Sequence, residues 1–203
     1  MKRNKGMMGI GTLIIFIAVI LVAAVAAAVL VSTSSSLQQR SLLTGSQAEE
    51  GVATGLEAVS VMATDGSQGA DLEHFEVLVR LQAGSDALNL NNTVVIMDTA
   101  SNSLSLSYNG SADTSDSGNA VGTQHYNVYY VKKGPDYKSN YVSRGDIVKL
   151  KFNCYDCSSS ATTGGIAENK RVRIKIIPRV GTATLIEFTT PDVITDNRVS
   201  LWP

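Results

Sequence analysis

The sequence predicts an α+β protein in which a long N-terminal α-helix precedes an antiparallel, immunoglobulin-like β-sandwich. Three observations carry that expectation. Residues 6–39 hold no charged side chain, and residues 10–31 are almost entirely Ile, Val, Leu, Ala and Phe. Beyond Leu72 the hydrophobic period changes from three or four residues to two. About seven short alternating stretches then follow, enough for a sandwich but without the Cys and Trp spacing of an antibody domain.

The helix comes first. Lys2, Arg3 and Lys5 precede the apolar run, and no further basic residue occurs until Arg40. Positive charge stays on the cytoplasmic side, so the start of the chain is expected inside and everything after the helix outside. About 20 apolar residues cross a bilayer, whereas the apolar core of a secretory signal is only about 7 to 15 long. No Ala-x-Ala site follows the run where a signal peptidase would cut, because Ala26-Ala27-Ala28 is embedded in further apolar residues. The apolar segment is therefore expected to stay on the mature protein. After Ser32-Thr33-Ser34-Ser35-Ser36, apolar residues return at Leu37, Leu42, Leu43, Val52, Leu56, Val59 and Met62. Their spacing of three to four predicts an amphipathic continuation of the helix to a stop at Asp65-Gly66-Ser67. Gly45, Gly51 and Gly55 each weaken that segment by about 1 kcal/mol relative to Ala, but would admit a second helix closely in an oligomer. A helix from Met7 to Met62 would be roughly 84 Å long, nearly three bilayer thicknesses, which a lone anchor does not need. Ala23 with Ala27, and Ala24 with Ala28, form two small-x-x-x-small pairs suited to helix–helix contact where lipid is as apolar as protein.

The strands follow in order. Phe75, Val77, Val79 and Leu81 alternate with Glu76, Leu78 and Arg80. Val148, Leu150 and Phe152 alternate with Lys149 and Lys151, and Val172, Ile174 and Ile176 with Arg171, Arg173 and Lys175. Each is a half-buried strand by its period. Residues 93–98, 103–108, 126–131 and 182–189 supply the others, separated by turn-rich segments such as Gly134-Pro135-Asp136 and Ser143-Arg144-Gly145-Asp146.

Composition argues against chemistry. Two His, two Cys and one Trp leave little for a metal centre, and no Gly-x-Ser-x-Gly, Walker or His-Glu-x-x-His sequence occurs, so no catalytic residue, cofactor or metal site is expected. Cys154-Tyr155-Asp156-Cys157 lacks the second ligand pair of a zinc site. Outside the cytoplasm it suits a local disulfide if the turn brings the two Cα atoms within bonding range. Asp113, Asp116 and Asn119 could offer oxygen to calcium, yet lack the EF-hand order, and a solvated loop is the favoured reading. Asn91-Asn92-Thr93 and Asn109-Gly110-Ser111 match the N-glycosylation pattern, a weak signal alone.

Charge is strongly segregated despite a net value of −1. Residues 49–116 carry eleven acidic side chains and only Arg80 as a base, while residues 132–179 carry eleven Lys or Arg against four acids. No aromatic-basic loop cluster accompanies them, so nucleic acid is not an expected partner. Two readings remain: pairing between neighbouring strands, or acidic and basic faces that meet between copies.

The stretch Lys5-Gly6-Met7-Met8-Gly9-Ile10-Gly11-Thr12-Leu13, with the Ala-rich helix after it, resembles the archaellins, the archaeal flagellins. So do Ser143-Arg144-Gly145-Asp146-Ile147-Val148-Lys149-Leu150 and the ending from Thr190-Pro191 to Trp202-Pro203. A cut after Gly6 would put Gly11 at the fifth mature position, where bacterial type IV pilins usually carry glutamate, which favours archaellin over pilin. The resemblance implies a leader of residues 1–6, cut between Gly6 and Met7 by a prepilin-peptidase-like enzyme; Gly9 is the alternative site. It implies a helix over residues 7–65, resident in the cytoplasmic membrane before assembly and in the filament core after it, and an outer sandwich over residues 66–203. The expected function is then the structural subunit of an extracellular rotating filament for swimming and adhesion, polymerising with itself or related archaellins. An assembly ATPase and a platform membrane protein are implied as indirect partners, and N-glycans at Asn91 and Asn109 as modifications. An adhesion pilin, a pilin-like stator component of the same motor and a cell-surface domain on an uncleaved anchor are the alternatives.

Overall fold

The computed structural model describes residues 4–66, 71–100, 102–112, 124–154 and 164–203. A single helix, α1 (Asn4–Ala53), is followed by β1 (Leu56–Ala63), β2 (His74–Leu81), β3 (Leu88–Asn89), a 3-10 turn (Leu90–Asn92), β4 (Val94–Thr99) and β5 (Ser103–Ala112). Then come β6 (His125–Lys132), β7 (Tyr141–Val142), β8 (Ile147–Asn153), β9 (Arg171–Ile177), β10 (Thr184–Thr189) and β11 (Val199–Trp202). The chain divides into two compact units, residues 1–48 and residues 49–203.

In the first unit, apolar side chains surround α1 rather than striping it, as the consecutive Ile14, Ile15, Phe16 and Ile17 show. All residues from 8 to 50 are exposed. The helix is about 75 Å long, and the hydroxyls of Thr12, Thr33 and Thr44 donate to the carbonyls of Gly9, Leu30 and Arg40 one turn back. A helical stretch that is apolar all round, as residues 13–31 are, is suited to lipid or to other helices, not to water.

The expected helix over residues 7–65 ends at Ala53, and residues 56–63 form β1 instead. Leu56, Val61 and Ala63 are buried, but the strand is bulged. Ala58 faces Val79 and Ser60 faces Leu78, so Val59 is the extra residue. One inserted residue shifts the inward parity from even to odd positions, and the strand then mimics a helical spacing of three to four.

In the second unit, nine strands make one sheet in the order β10-β9-β4-β5-β6-β8-β2-β1-β11, antiparallel throughout except for the parallel β5/β6 pair. β3 and β7 form a separate two-stranded ladder. The outer edge of β1 is shared. Its second half pairs with β11, while at its start the Thr182 amide donates to Thr54 and the Thr184 hydroxyl to the Leu56 carbonyl. The sheet thereby closes on itself, which leaves little open edge to template aggregation. Gly181 makes the closure sterically feasible: it has φ +110°, and a Cβ there would lie 2.3 Å from the Thr54 carbonyl oxygen.

The expected alternation is realised inside this closed sheet. Val77, Val79, Val95, Met97, Val148, Leu150, Val172, Ile174 and Ile176 form one core with Leu106, Val128 and Ile186. Phe75 and Phe152, opposite each other on β2 and β8, stack with centroids 5.9 Å apart. Tyr126 is fully buried and its hydroxyl donates to the carbonyls of Leu90 and Thr93, tying the 3-10 turn to the sheet.

Candidate assembly surfaces

The first unit exposes a long run of apolar side chains, from Met8 to Val31. Ala23, Ala24, Ala27 and Ala28 are all exposed on α1, between Leu21 and Val22 on one side and Val29, Leu30 and Val31 on the other. A Cβ added at Gly9, Gly11, Gly45 or Gly51 would meet nothing within 4 Å, so packing within this chain does not account for these glycines. The backbone of Lys5, Gly6 and Met7 belongs to α1, while their side chains lie outside the described residues.

In the second unit, Asn91 is exposed on the 3-10 turn, with its amide held by the Asn89 side chain. Asn109 is exposed on β5 and its side-chain amide donates to Asn127 at 3.2 Å. Cys154 is buried and disulfide-bonded. Cys157 lies outside the described residues, as do Asp113, Asp116 and Asn119 of the loop considered for calcium.

The sequence did not foreshadow one potential ligand group. Asp65, Glu73 and His74 bring ligand atoms within 4.8 Å of one another. The Asp65 carboxylate already accepts the amides of Glu73 and His74 at 2.7 and 3.0 Å, and His74 Nδ1 lies 2.7 Å from Asn153 Oδ1. Those bonds brace the start of β2. A separation of eight and nine residues across a turn carries no recognisable ligand motif, so no short-range signal marked the trio.

Segregated charge resolves in two ways. Glu76 on β2 is buried with Lys149 and Lys151 of β8, each ammonium 3.2 Å from one carboxylate oxygen. The Lys149 contact is coulombic and lacks directed hydrogen-bond geometry, for that oxygen has no hydrogen-bond partner. Both lysines also lie about 6 Å from the Tyr129 ring. Here acidic and basic stretches pair between neighbouring strands. The second outcome is on β9, where Arg171, Arg173 and Lys175 are exposed and, among the described residues, only Arg173 has a carboxylate partner, Glu187 at 2.5 Å. At the other end of the sheet, Arg80 grips Glu57 through two hydrogen bonds of 2.9 and 3.0 Å, which hold that carboxyl below its ordinary range.

Tyrosines cluster beside β6. Tyr108 and Tyr126 have centroids 5.6 Å apart, and Tyr130 meets Tyr137 edge-on at 4.9 Å. Burial, reinforced by Tyr137, pushes the Tyr108 phenol up to about 12. Burial raises Tyr126 and Tyr130 further. Nearby, Asp146 accepts the amides of Gly134 and Ser143 at 2.6 and 2.7 Å, so the Ser143-Arg144-Gly145-Asp146 turn latches the β6–β7 connection.

Comparison with known proteins gives a consistent result. The archaeal-type flagellin family model matches residues 6–188. Flagellin B1 of Methanococcus voltae is 34% identical over 214 residues, covering 99% of this chain and 97% of that protein. Flagellin B2 of Methanocaldococcus jannaschii is 34% identical over 205 residues, covering 94% and 91%. The archaeal flagellum of Methanospirillum hungatei superposes with a TM-score of 0.67 at 15% identity, covering 96% of this chain and 99% of that one. A crystal structure of an archaeal flagellin from M. jannaschii gives 0.63 at 20% identity, covering 74% and 98%.

Proposed function

Because the chain belongs to the archaeal-type flagellins, we propose that it is the structural subunit of an archaeal flagellum filament, held in the polymer by α1. The observation that carries this reading is the unbroken exposed apolar surface of residues 8–31. Exposing about twenty such side chains to water costs on the order of 30 kcal/mol at about 1.5 kcal/mol each. Membrane and helix bundle both remove that cost, so passage from one to the other is nearly neutral in transfer energy, and packing decides the outcome. Residues 1–6 are a leader removed between Gly6 and Met7 by a prepilin-peptidase-like enzyme, as glycine before the scissile bond leaves a protease cleft unobstructed. Extraction from the membrane requires work, which an assembly ATPase acting through a platform membrane protein would supply. The outer unit faces solvent in the finished filament, with Cys154 paired to Cys157 and glycans on Asn91 and Asn109. Swimming and surface attachment follow from rotation of such a filament.

The test is expression of the full chain in a motile archaeal host lacking its own flagellins. Electron microscopy should show filaments, and mass spectrometry of their subunit a first residue of Met7. Gly6→Phe should leave unprocessed precursor in the membrane and no filaments. Filaments built from a subunit that starts at Met1 would refute the leader assignment, and absence of filaments from the unsubstituted chain would refute the function.

A further inference from the structure

The two halves of the closed sheet differ in how their outward side chains are treated. On the half formed by β6, β8 and β2, the outward Asn127, Lys149, Lys151 and Glu76 are all buried. These four side chains are therefore withdrawn from solvent within the subunit. On the half formed by β10, β9 and β4, the outward row Arg171, Arg173 and Lys175 is exposed. Arg173 is paired with Glu187 at 2.5 Å, and Asp98, whose carboxylate accepts the Ser103 hydroxyl, is its register neighbour on β4. Lys175 sits instead between Ile96 and Leu185, with no carboxylate in its row. Leu185 is 55% exposed and Val94, farther along β4, 37%. Among the described residues neither Arg171 nor Lys175 has an ion-pair partner. Exposed apolar side chains on either side of an unpaired lysine, with an unpaired arginine at the far end of the same row, supply the mixture of apolar and charged contact from which protein interfaces are built.

A complementary surface exists at the root of the same unit. Glu49, Glu50 and Asp86 are exposed there and, among the described residues, form no ion pair. Glu50 and Asp86 line one open recess of about 310 Å³ together with Val180, 41% exposed, and a single cation, Arg179. Building on the reading of the chain as a polymerising subunit, we propose that the exposed β10–β9–β4 face of one copy docks on the acidic root of a second copy, with Arg171 and Lys175 meeting Glu49, Glu50 and Asp86. Among the described residues the charges named on each surface have no ion-pair partner, the two surfaces are opposite in sign, and each carries exposed apolar side chains. Exposed pairs contribute little singly, because water already solvates them. In a polymer, however, neighbours are held at high effective concentration by the helices, so weak pairs suffice to select one docking register over others.

The experiment uses the full chain in the flagellin-less host. Arg171→Glu with Lys175→Glu should cut filaments per cell at least about tenfold while immunoblots of the membrane show normal subunit abundance. Adding Glu50→Lys and Asp86→Lys to that variant should restore filaments, because the charges are exchanged and the pairing is re-formed. Normal filament numbers from the first variant, or no recovery in the fourfold variant, would overturn the docking. A second measurement does not depend on the variants accumulating. Carbodiimide, which joins an amine to a carboxylate without a spacer, should convert unsubstituted filaments into covalent dimers linking Lys175 to Asp86, Glu50 or Glu49. Dimers without any such link would overturn the proposal and leave the filament function standing. Absence of filaments from the unsubstituted chain would overturn both.

Discussion

A phenol in a closed sheet is held neutral by its surroundings, and that makes the second unit sensitive to alkali. Tyr108, Tyr126 and Tyr130 all ionise above the ordinary value of 10 in the folded chain, mainly through burial. Their contribution to stability is complete below that value. It is lost as pH rises from 10 toward the folded values, because the unfolded chain releases its protons first. Thermal melts of the detergent-solubilised chain should therefore show stability falling steeply above about pH 10, with tyrosinate absorbance appearing together with unfolding. Tyr126→Phe should lower stability at neutral pH by about 1 to 3 kcal/mol, since the carbonyls of Leu90 and Thr93 lose their donor. The same variant should flatten the alkaline decline. Tyrosinate absorbance rising well below the melting transition would contradict this account. None of these partners was readable from sequence. The residues 126–131 announced a strand by alternation, but that Tyr126 would reach carbonyls more than thirty positions away depends on the fold as a whole.

At the level of elements, the strands that alternate without interruption were legible, and the one that does not was misread. β2, β8 and β9 place an apolar side chain at every second position because each turns one face to the core, although Lys149 and Lys151 on the other face of β8 are buried too. β1 carries the same inward residues interrupted by Val59, and Gly51 and Gly55 do not by themselves say that a helix has already ended. Deleting Val59 should be tolerated, for it joins Ala58 directly to Ser60 while their partners Val79 and Leu78 are already adjacent. The stability change should stay within about 1 kcal/mol. Deleting Leu78 on the facing strand should instead be severe, as the slip turns Phe75 and Val77 out of the core. Equal effects of the two deletions on the melting temperature would rule out the bulge. Short β3, β7 and β11 escaped sequence reading because strands of two to four residues have too few positions to show a period. On α1, Ala24→Leu or Ala27→Leu should block polymerisation or change filament geometry, since a larger side chain holds two backbones apart. Membrane insertion of the subunit should be unaffected, and unchanged filament yield and symmetry in both variants would refute packing at these alanines.

For the whole molecule, the relative size of the terms decides what should dissolve the polymer. Burial of α1 is worth tens of kcal/mol, whereas exposed ion pairs on the outer unit are worth about 0 to 1 kcal/mol each and are screened by salt. Filaments should therefore survive molar salt yet come apart in a detergent whose tails can replace neighbouring helices. Sedimentation of purified filaments in each condition would check this, and dispersal by salt alone would reverse the ranking. This much was visible in the sequence, because a charge-free stretch of 34 residues has no other economical use. The distribution of charge over the outer unit was only half visible. Counting placed acids and bases in different stretches, but which pairs are buried, as with Glu76, and which cations have no ion-pair partner among the described residues, as with Arg171 and Lys175, depends on strand order.

Closure of the sheet beside Thr54 has a mechanical meaning. β1 is gripped on one edge along its length by β2, and on the other by β11 and by the contacts from Thr182 and Thr184. A pull applied at Thr54 along the strand would load those bonds side by side, in shear, instead of peeling them open one after another. Rupture would then require many bonds to fail at once, so the forced unfolding rate of the outer unit stays low under drag, in the regime where that rate sets survival. The strand next to the helix is thus held like a lap joint, the geometry best suited to carry tension into a body without unravelling it.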